Sequence, residues 1–324
     1  MKKVFVAGAT GFLGTNLIIE LIRQNYLVKG LDTNIKNYKG PDHEHLQLIQ
    51  GDALDLDAAL LSDCDAVIHV IGETAPNLSF ANYHRINVEV AIAVLHAAIK
   101  NKVKRFVFVS SANTLGYKDD YSLGSEEKPI RAPHNTCPYA LSKLEAEERL
   151  LQYSDKIDIV IANPTFMIGS FDFKPTSGRI ILNGLHKNII FHPPGGKNFV
   201  HVGDVARGLV SCLELGKNGE KYLLAGENLS FSDFYLKLIA YLEKKPLLVK
   251  IPNWIMKILG WTGDLILRLG FRTGLSSLNM KIMSIENFYS NQKSISELKL
   301  RYHPIDQAIF DALKFFQSDE FRNR

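Results

Sequence analysis

The chain has 324 residues, 46% hydrophobic and 22% charged, enough to bury a large core and too apolar for a disordered protein. Its net charge of +4 reads as spread along the chain without a basic block, which argues against nucleic acid as the main partner. Three widely spaced cysteines, Cys64, Cys137 and Cys212, predict reduced thiols in a cytoplasm, with no disulfide frame and no zinc site. The apolar run after Met1-Lys-Lys is too short for a signal core. No apolar stretch is long enough to predict a transmembrane helix.

Residues 4–14, Val-Phe-Val-Ala-Gly-Ala-Thr-Gly-Phe-Leu-Gly, predict a strand, a glycine turn and the start of a helix continued by Leu17, Ile18, Leu21 and Ile22. Such a turn presents backbone N–H groups and a helix N-terminus to a pyrophosphate. Gly8 permits the tight turn, Gly11 the approach of phosphates, and Gly14 the close packing of helix on strand. The spacing is GxxGxxG rather than the common GxGxxG. A second strand over 26–31 ends at Asp32, whose carboxylate suits an adenosine ribose and would repel a 2′-phosphate. NAD is therefore favoured over NADP, although Lys36 lies close by; the alternative for Asp32 is a loop cap.

Farther on, strands are predicted at 46–50, 66–70, 106–110 and 157–162, with helices at 54–62, 82–101 and 139–153. This alternation implies a doubly wound, mostly parallel α/β sheet that binds ligands at the carboxyl ends of its strands. Tyr139 and Lys143 are one helical turn apart and share a face. An ammonium there would favour the phenolate, bringing the tyrosine pKa toward neutrality for acid–base work. Ser110 and Ser111 end a strand at the ligand edge. Ser111 is the candidate hydroxyl for a substrate oxygen, and a simple turn cap is the alternative.

From Pro164 the pattern changes. Residues 169–198 read as loop with one helix near 178–186, followed by a strand at 199–202 and a helix at 203–215. We therefore divide the chain into a nucleotide-binding part, 1–165, to which 199–215 returns, and a smaller, mostly helical substrate-binding part, 166–324. Residues 251–270 form an apolar helix with a narrow polar stripe, starting at Pro252 and stopping at Gly270. It suits burial, a wall of a hydrophobic pocket, or a membrane surface. The mixed signs of Lys257, Asp264 and Arg268 do not resemble a lipid-seeking face.

These residues resemble the short-chain dehydrogenase/reductase superfamily, in particular its extended class, the NAD-dependent epimerases and dehydratases. The resemblance implies a Rossmann-type fold and assigns roles along the chain. Gly8, Ala9, Thr10, Gly11, Phe12, Leu13 and Gly14 match the cofactor turn, and Asp52 and Ala53 the loop beside the adenine. Val70, Ile71 and Gly72, after His69, stand where the family lines its cofactor. Ser110 joins that cofactor set, and Asn87 matches an asparagine that supports a proton relay. Ser111, Tyr139 and Lys143 match the catalytic set. Asn163, Pro164, Thr165 and Phe166 match the segment that cradles the nicotinamide, with Asn163 in place of a frequent arginine. That replacement weighs against a sugar-nucleotide substrate.

Asp204 lies in a Phe-x-His-Val-x-Asp-Val-Ala-like stretch and is expected to cap a helix. The stretches around Ser111 and Asn163 look most like the dihydroflavonol reductase and 3β-hydroxysteroid dehydrogenase branch, and like bacterial epimerase-like proteins associated with hopanoid synthesis. Met167, His192 and Phe199 are the candidate substrate contacts, and their surroundings suit a steroid-, flavonoid- or acyl-ketone-like molecule. The expected function is hydride transfer at a hydroxyl or carbonyl carbon. Sugar epimerase or dehydratase chemistry on NAD is the alternative, and a non-catalytic dinucleotide sensor an alternative of another class. Family analogy adds a homodimer.

Overall fold

The computed structural model describes residues 1–185, 187–271 and 273–322. Short apolar runs in the first half form β1 (Lys3–Ala7), β2 (Leu27–Asp32), β3 (Leu46–Gln50), β4 (Ala66–His69), β5 (Arg105–Val109) and β6 (Asp158–Pro164). The second half adds β7 (Phe166–Ile168), β8 (Ile189–His192), β9 (Gly196–His201), β10 (Lys221–Leu224), β11 (Glu227–Ser230), β12 (Leu247–Lys250) and β13 (Glu286–Asn287). The main sheet has the order β10-β6-β5-β4-β1-β2-β3, and every pair in it is parallel. Parallel strands need crossovers, so helices cover both faces. α1 (Phe12–Arg23), α2 (Phe80–His84), α3 (Val90–Lys100) and α4 (Pro138–Leu151) come from the first half. α5 (Arg179–Leu182), α6 (Val202–Leu215), α7 (Phe231–Ala240), α8 (Asn253–Arg268), α9 (Ser277–Met283), α10 (Gln292–Leu298) and α11 (Ile305–Gln317) come from the second.

The two halves share one core. Val4, Val6, Leu17 and Ile18 pack in the same buried cluster as Val205, Leu209, Tyr222 and Leu224. α6 packs on β5 and β6, and β10 follows it as an edge strand the sequence pattern did not reveal. Four residues cannot show a period, and the run is flanked by Gly219-Glu-Lys rather than by an apolar pattern. Two other expectations need correction. The helix expected at 54–62 is only a 3₁₀ turn at Ala58–Leu61, because Asp57 caps a segment too short to propagate an α-helix. The loop expected over 169–198 holds β8 and the start of β9, with a shorter helix than foreseen.

Candidate active site

A groove of about 590 Å³ opens beside the carboxyl ends of β1, β2 and β4, lined among others by Gly8, Gly11, Asp32, Asp52, Ala53 and Gly72. The glycine turn is fixed by its neighbours. Gly8 has φ +98°, and the Gly8 and Ala9 N–H groups both donate to the Leu31 carbonyl. A Cβ on Gly14 would lie 2.0 Å from the Gly8 oxygen, so only glycine lets α1 approach β1 this closely. Gly11 caps α1 without a side-chain bond and faces open space, where a Cβ would meet only the Gly8 oxygen at 3.8 Å. The first-turn N–H groups of α1 thus have no side-chain acceptor at the cap, the condition for binding an anion. Ala9 and Leu13 are buried in the core, and Thr10 and Phe12 are half-buried. Asp32 lines the groove, and its Oδ2 accepts a bond from the Thr10 N–H at 3.0 Å.

Val70 and Ile71 join Gly72 on the groove wall. So do Asn82, Arg85 and Ile86, which sequence reading missed. They project from α2 and a π-helical turn at Arg85–Glu89, inside what reads as one regular helix. The extra residue of a π turn rotates the register, turning Asn87 and Val88 inward and leaving Ile86 on the groove.

The reacting side chains converge beneath this wall. Tyr139 sits in the first turn of α4, with Pro138 at the start of the helix. Ser111 caps the 3₁₀ turn at Ala112–Thr114, its Oγ accepting from the Asn113 N–H at 3.2 Å, and it lies near the Tyr139 phenol. Lys143 is 3% exposed; its Nζ donates to the Val109 carbonyl at 2.9 Å and stands 4.8 Å from the Phe108 ring centre. A Cβ on Gly72 would lie 3.0 Å from Lys143 Nζ, so Gly72 is the contact between groove and lysine.

The electrostatics differ from the expectation. Burial pushes Lys143 down to about 7, opposed by the charge of Glu147. Burial pushes Tyr139 up to about 12, opposed by the nearby Ser111 hydroxyl. In this geometry dehydration outweighs any pull of the lysine on the phenol.

Below them lies a polar network that sequence reading did not foresee. Glu147, fully buried on α4, accepts from Thr114 Oγ1 at 2.8 Å, Asn163 Nδ2 at 2.8 Å and the Ser110 hydroxyl, and pairs with Lys221 of β10 at 2.5 Å. Ser110, expected at the cofactor, therefore turns its hydroxyl to Glu147. Asn163 is likewise buried, also donating to the Ser111 carbonyl at 3.1 Å. Asn87 is buried too. Its Oδ1 accepts from the Glu73 N–H at 2.8 Å and its Nδ2 donates to Ser142 at 2.9 Å, tying the π turn to the groove wall and to α4. Pro164 is buried at the end of β6, Thr165 donates to Asn198 at 2.7 Å, and Phe166 packs edge-on against Phe199.

The candidate substrate contacts do not gather at the groove. Met167 is half-buried against the main core. Phe199 is fully buried and stacks on Phe234 with centroids 4.3 Å apart, so it is a core residue. His192 is 4% exposed and lines a separate cavity of about 370 Å³ with Pro193, Gly195, Ser230 and Lys250. Asp204 is not the helix cap; the His201 side chain accepts from the Gly203 N–H in that role. Asp204 instead binds Arg207 and accepts from the His303 N–H at 2.8 Å, holding the segment before α11.

A parallel doubly wound sheet, a glycine turn on an uncapped helix and a Ser–Tyr–Lys set under the groove define a nucleotide-dependent dehydrogenase-like protein. A family profile described as the NAD dependent epimerase/dehydratase family matches residues 4–225, and the chain belongs to that family. A putative dihydroflavonol 4-reductase from Synechocystis sp. is 30% identical, covering 97% of this chain and 94% of its own. A dTDP-D-glucose 4,6-dehydratase from Bos taurus is 27% identical over 78% of this chain and 77% of its own. The crystal structure of gox2253 superposes with a TM-score of 0.82 at 26% identity, covering 98% of each chain.

Proposed function

We propose that this protein is an NAD-dependent oxidoreductase acting at a hydroxyl or carbonyl carbon of a small, fairly apolar substrate. The observation that carries the reading is that Ser111, Tyr139 and the buried Lys143 come together, with the Lys143 Nζ against Gly72 of the groove wall. The groove fits the dinucleotide: Gly11 leaves room at the helix start, and Asp32 and Asp52 are acceptors for hydroxyl and amino groups. When bound, NAD takes up or supplies the hydride at its nicotinamide. Tyr139 gives the substrate oxygen its proton in reduction and removes it in oxidation. Ser111 holds that oxygen by a second hydrogen bond, and Lys143, when charged, favours the phenolate. The likeness to the Synechocystis putative dihydroflavonol 4-reductase supports net reduction. The likeness to the bovine dTDP-D-glucose 4,6-dehydratase supports the dehydratase alternative, which shares the same proton and hydride steps.

Tyr139→Phe tests the reading. Turnover should fall by about 10³-fold while NADH still binds, and more tightly than NADPH, by calorimetry. Retained turnover would remove Tyr139 from the chemistry. Net NADH consumption with a ketone distinguishes a reductase from an epimerase or dehydratase, which returns its cofactor unchanged.

A further inference from the structure

Helix α8 buries Met256 but leaves an apolar stripe exposed. Trp254, Ile258, Trp261, Leu265 and Leu269 recur at helical spacing and fall within about 80° of arc. Trp254 is 63% exposed, Trp261 67% and Leu269 66%. The opposite face is pinned down. A Cβ on Gly260 would lie 2.8 Å from Ser277 Cα and one on Gly263 2.4 Å from the Leu275 oxygen, so the helix cannot roll its stripe inward. The β8–β12 ribbon that leads into α8 exposes three more large apolar residues, Ile189, Phe191 and Leu247.

The charge in this stretch of the sequence is mostly positive. Residues 244–281 carry seven lysines and arginines and one carboxylate, a net +6 in a chain whose total is +4. The positive charge is concentrated here, contrary to its even appearance in the whole sequence. Asp264, which made the helix look mixed, accepts from the Ser277 N–H at 2.9 Å on the side packed against α9. Lys250, Lys257 and Arg268 stay exposed, the latter two flanking the stripe on the helix surface. Among the described residues no helix is long and apolar enough to cross a membrane, so the stripe has the character of a helix lying on one.

We propose that α8 docks the protein on the surface of a bilayer containing anionic lipid. Tryptophans and leucines enter the headgroup boundary, and the flanking cations meet the lipid phosphates. This inference is independent of the reaction assigned to the groove.

Trp254 and Trp261 are the two tryptophans of the chain, so its intrinsic emission reports directly on this face. The full-length protein is mixed with phosphatidylcholine vesicles prepared with or without phosphatidylglycerol. It should float with the anionic vesicles only, with a blue-shifted emission quenched by brominated acyl chains, and salt should release it. Lys257→Glu with Arg268→Glu keeps both tryptophans and should weaken vesicle binding by about tenfold or more, with an unchanged melting curve. Trp254→Ser with Trp261→Ser should abolish flotation. Failure of the parent protein to float with anionic vesicles, or flotation indifferent to both double variants, would overturn the proposal. So would a lipid-free blue shift that grows with protein concentration alongside a dimer in sedimentation, which would give the face to a second copy.

Discussion

Lys143 is the residue at which burial and chemistry conflict most directly. Its pKa of about 7 lies below the ordinary 10.5, so between these values the folded protein binds fewer protons than the unfolded chain. By linkage this group makes stability rise with pH across that window, and the gain is lost as pH falls toward 7. Lys143→Met removes the dependence. The parent Tm should therefore climb more steeply from pH 7 to 9 than that of the variant, a difference read by calorimetry in matched buffers. Equal slopes would mean that the lysine stays charged. Tyr139 and Lys143 were legible in the sequence because their spacing is a single helical turn. Glu147 was not, because its partners Ser110, Thr114, Asn163 and Lys221 come from separate segments that only the fold brings together. Phe199 misled for the opposite reason: a residue in the right segment can still point into the core.

Among the elements, β1, the glycine turn and α1 act as a single rigid unit. Gly14→Ala would drive a methyl into the Gly8 and Ala9 carbonyls, 2.0 and 2.9 Å away, and both are backbone atoms that cannot swing aside. The cost should reach about 3 kcal/mol or more, with NADH affinity lost alongside stability; denaturant melts and calorimetry read both. An unchanged midpoint would show that α1 can slide along the sheet. The strands were readable where they are buried on both faces, as in the run Phe106–Val109. The π turn escaped notice because the apolar period of Val90, Val94 and Ala97 continues on its far side. Its insertion changes only which residues before Val90 face the groove. For α8 the periodicity was visible in the sequence, but the direction of the stripe was not. Two glycines on the other face decide it.

At the scale of the molecule, the segments before and after Pro164 are bound into one sheet and one buried cluster. Residues 1–165 alone would leave β6 without β10 and would expose the face of β5 and β6 that α6 covers. Expressed by itself, that fragment should be rapidly proteolysed and lack a cooperative melt. The full chain should unfold in one main transition. A stable, NADH-binding fragment would show two independent cores. The sequence pattern predicts the helix at 203–215 but not the four residues of β10 that follow it.

Those four residues set an order of events. Most of the nucleotide groove is encoded before residue 90, and Ser111, Tyr139 and Lys143 follow by residue 143. The cation that balances Glu147, one turn beyond Lys143 on α4, comes only with Lys221, in the last strand of the main sheet to leave the ribosome. A nascent chain thus carries the groove-lining residues well before the ionic framework around its lysine is complete. Redox competence belongs to the finished polypeptide.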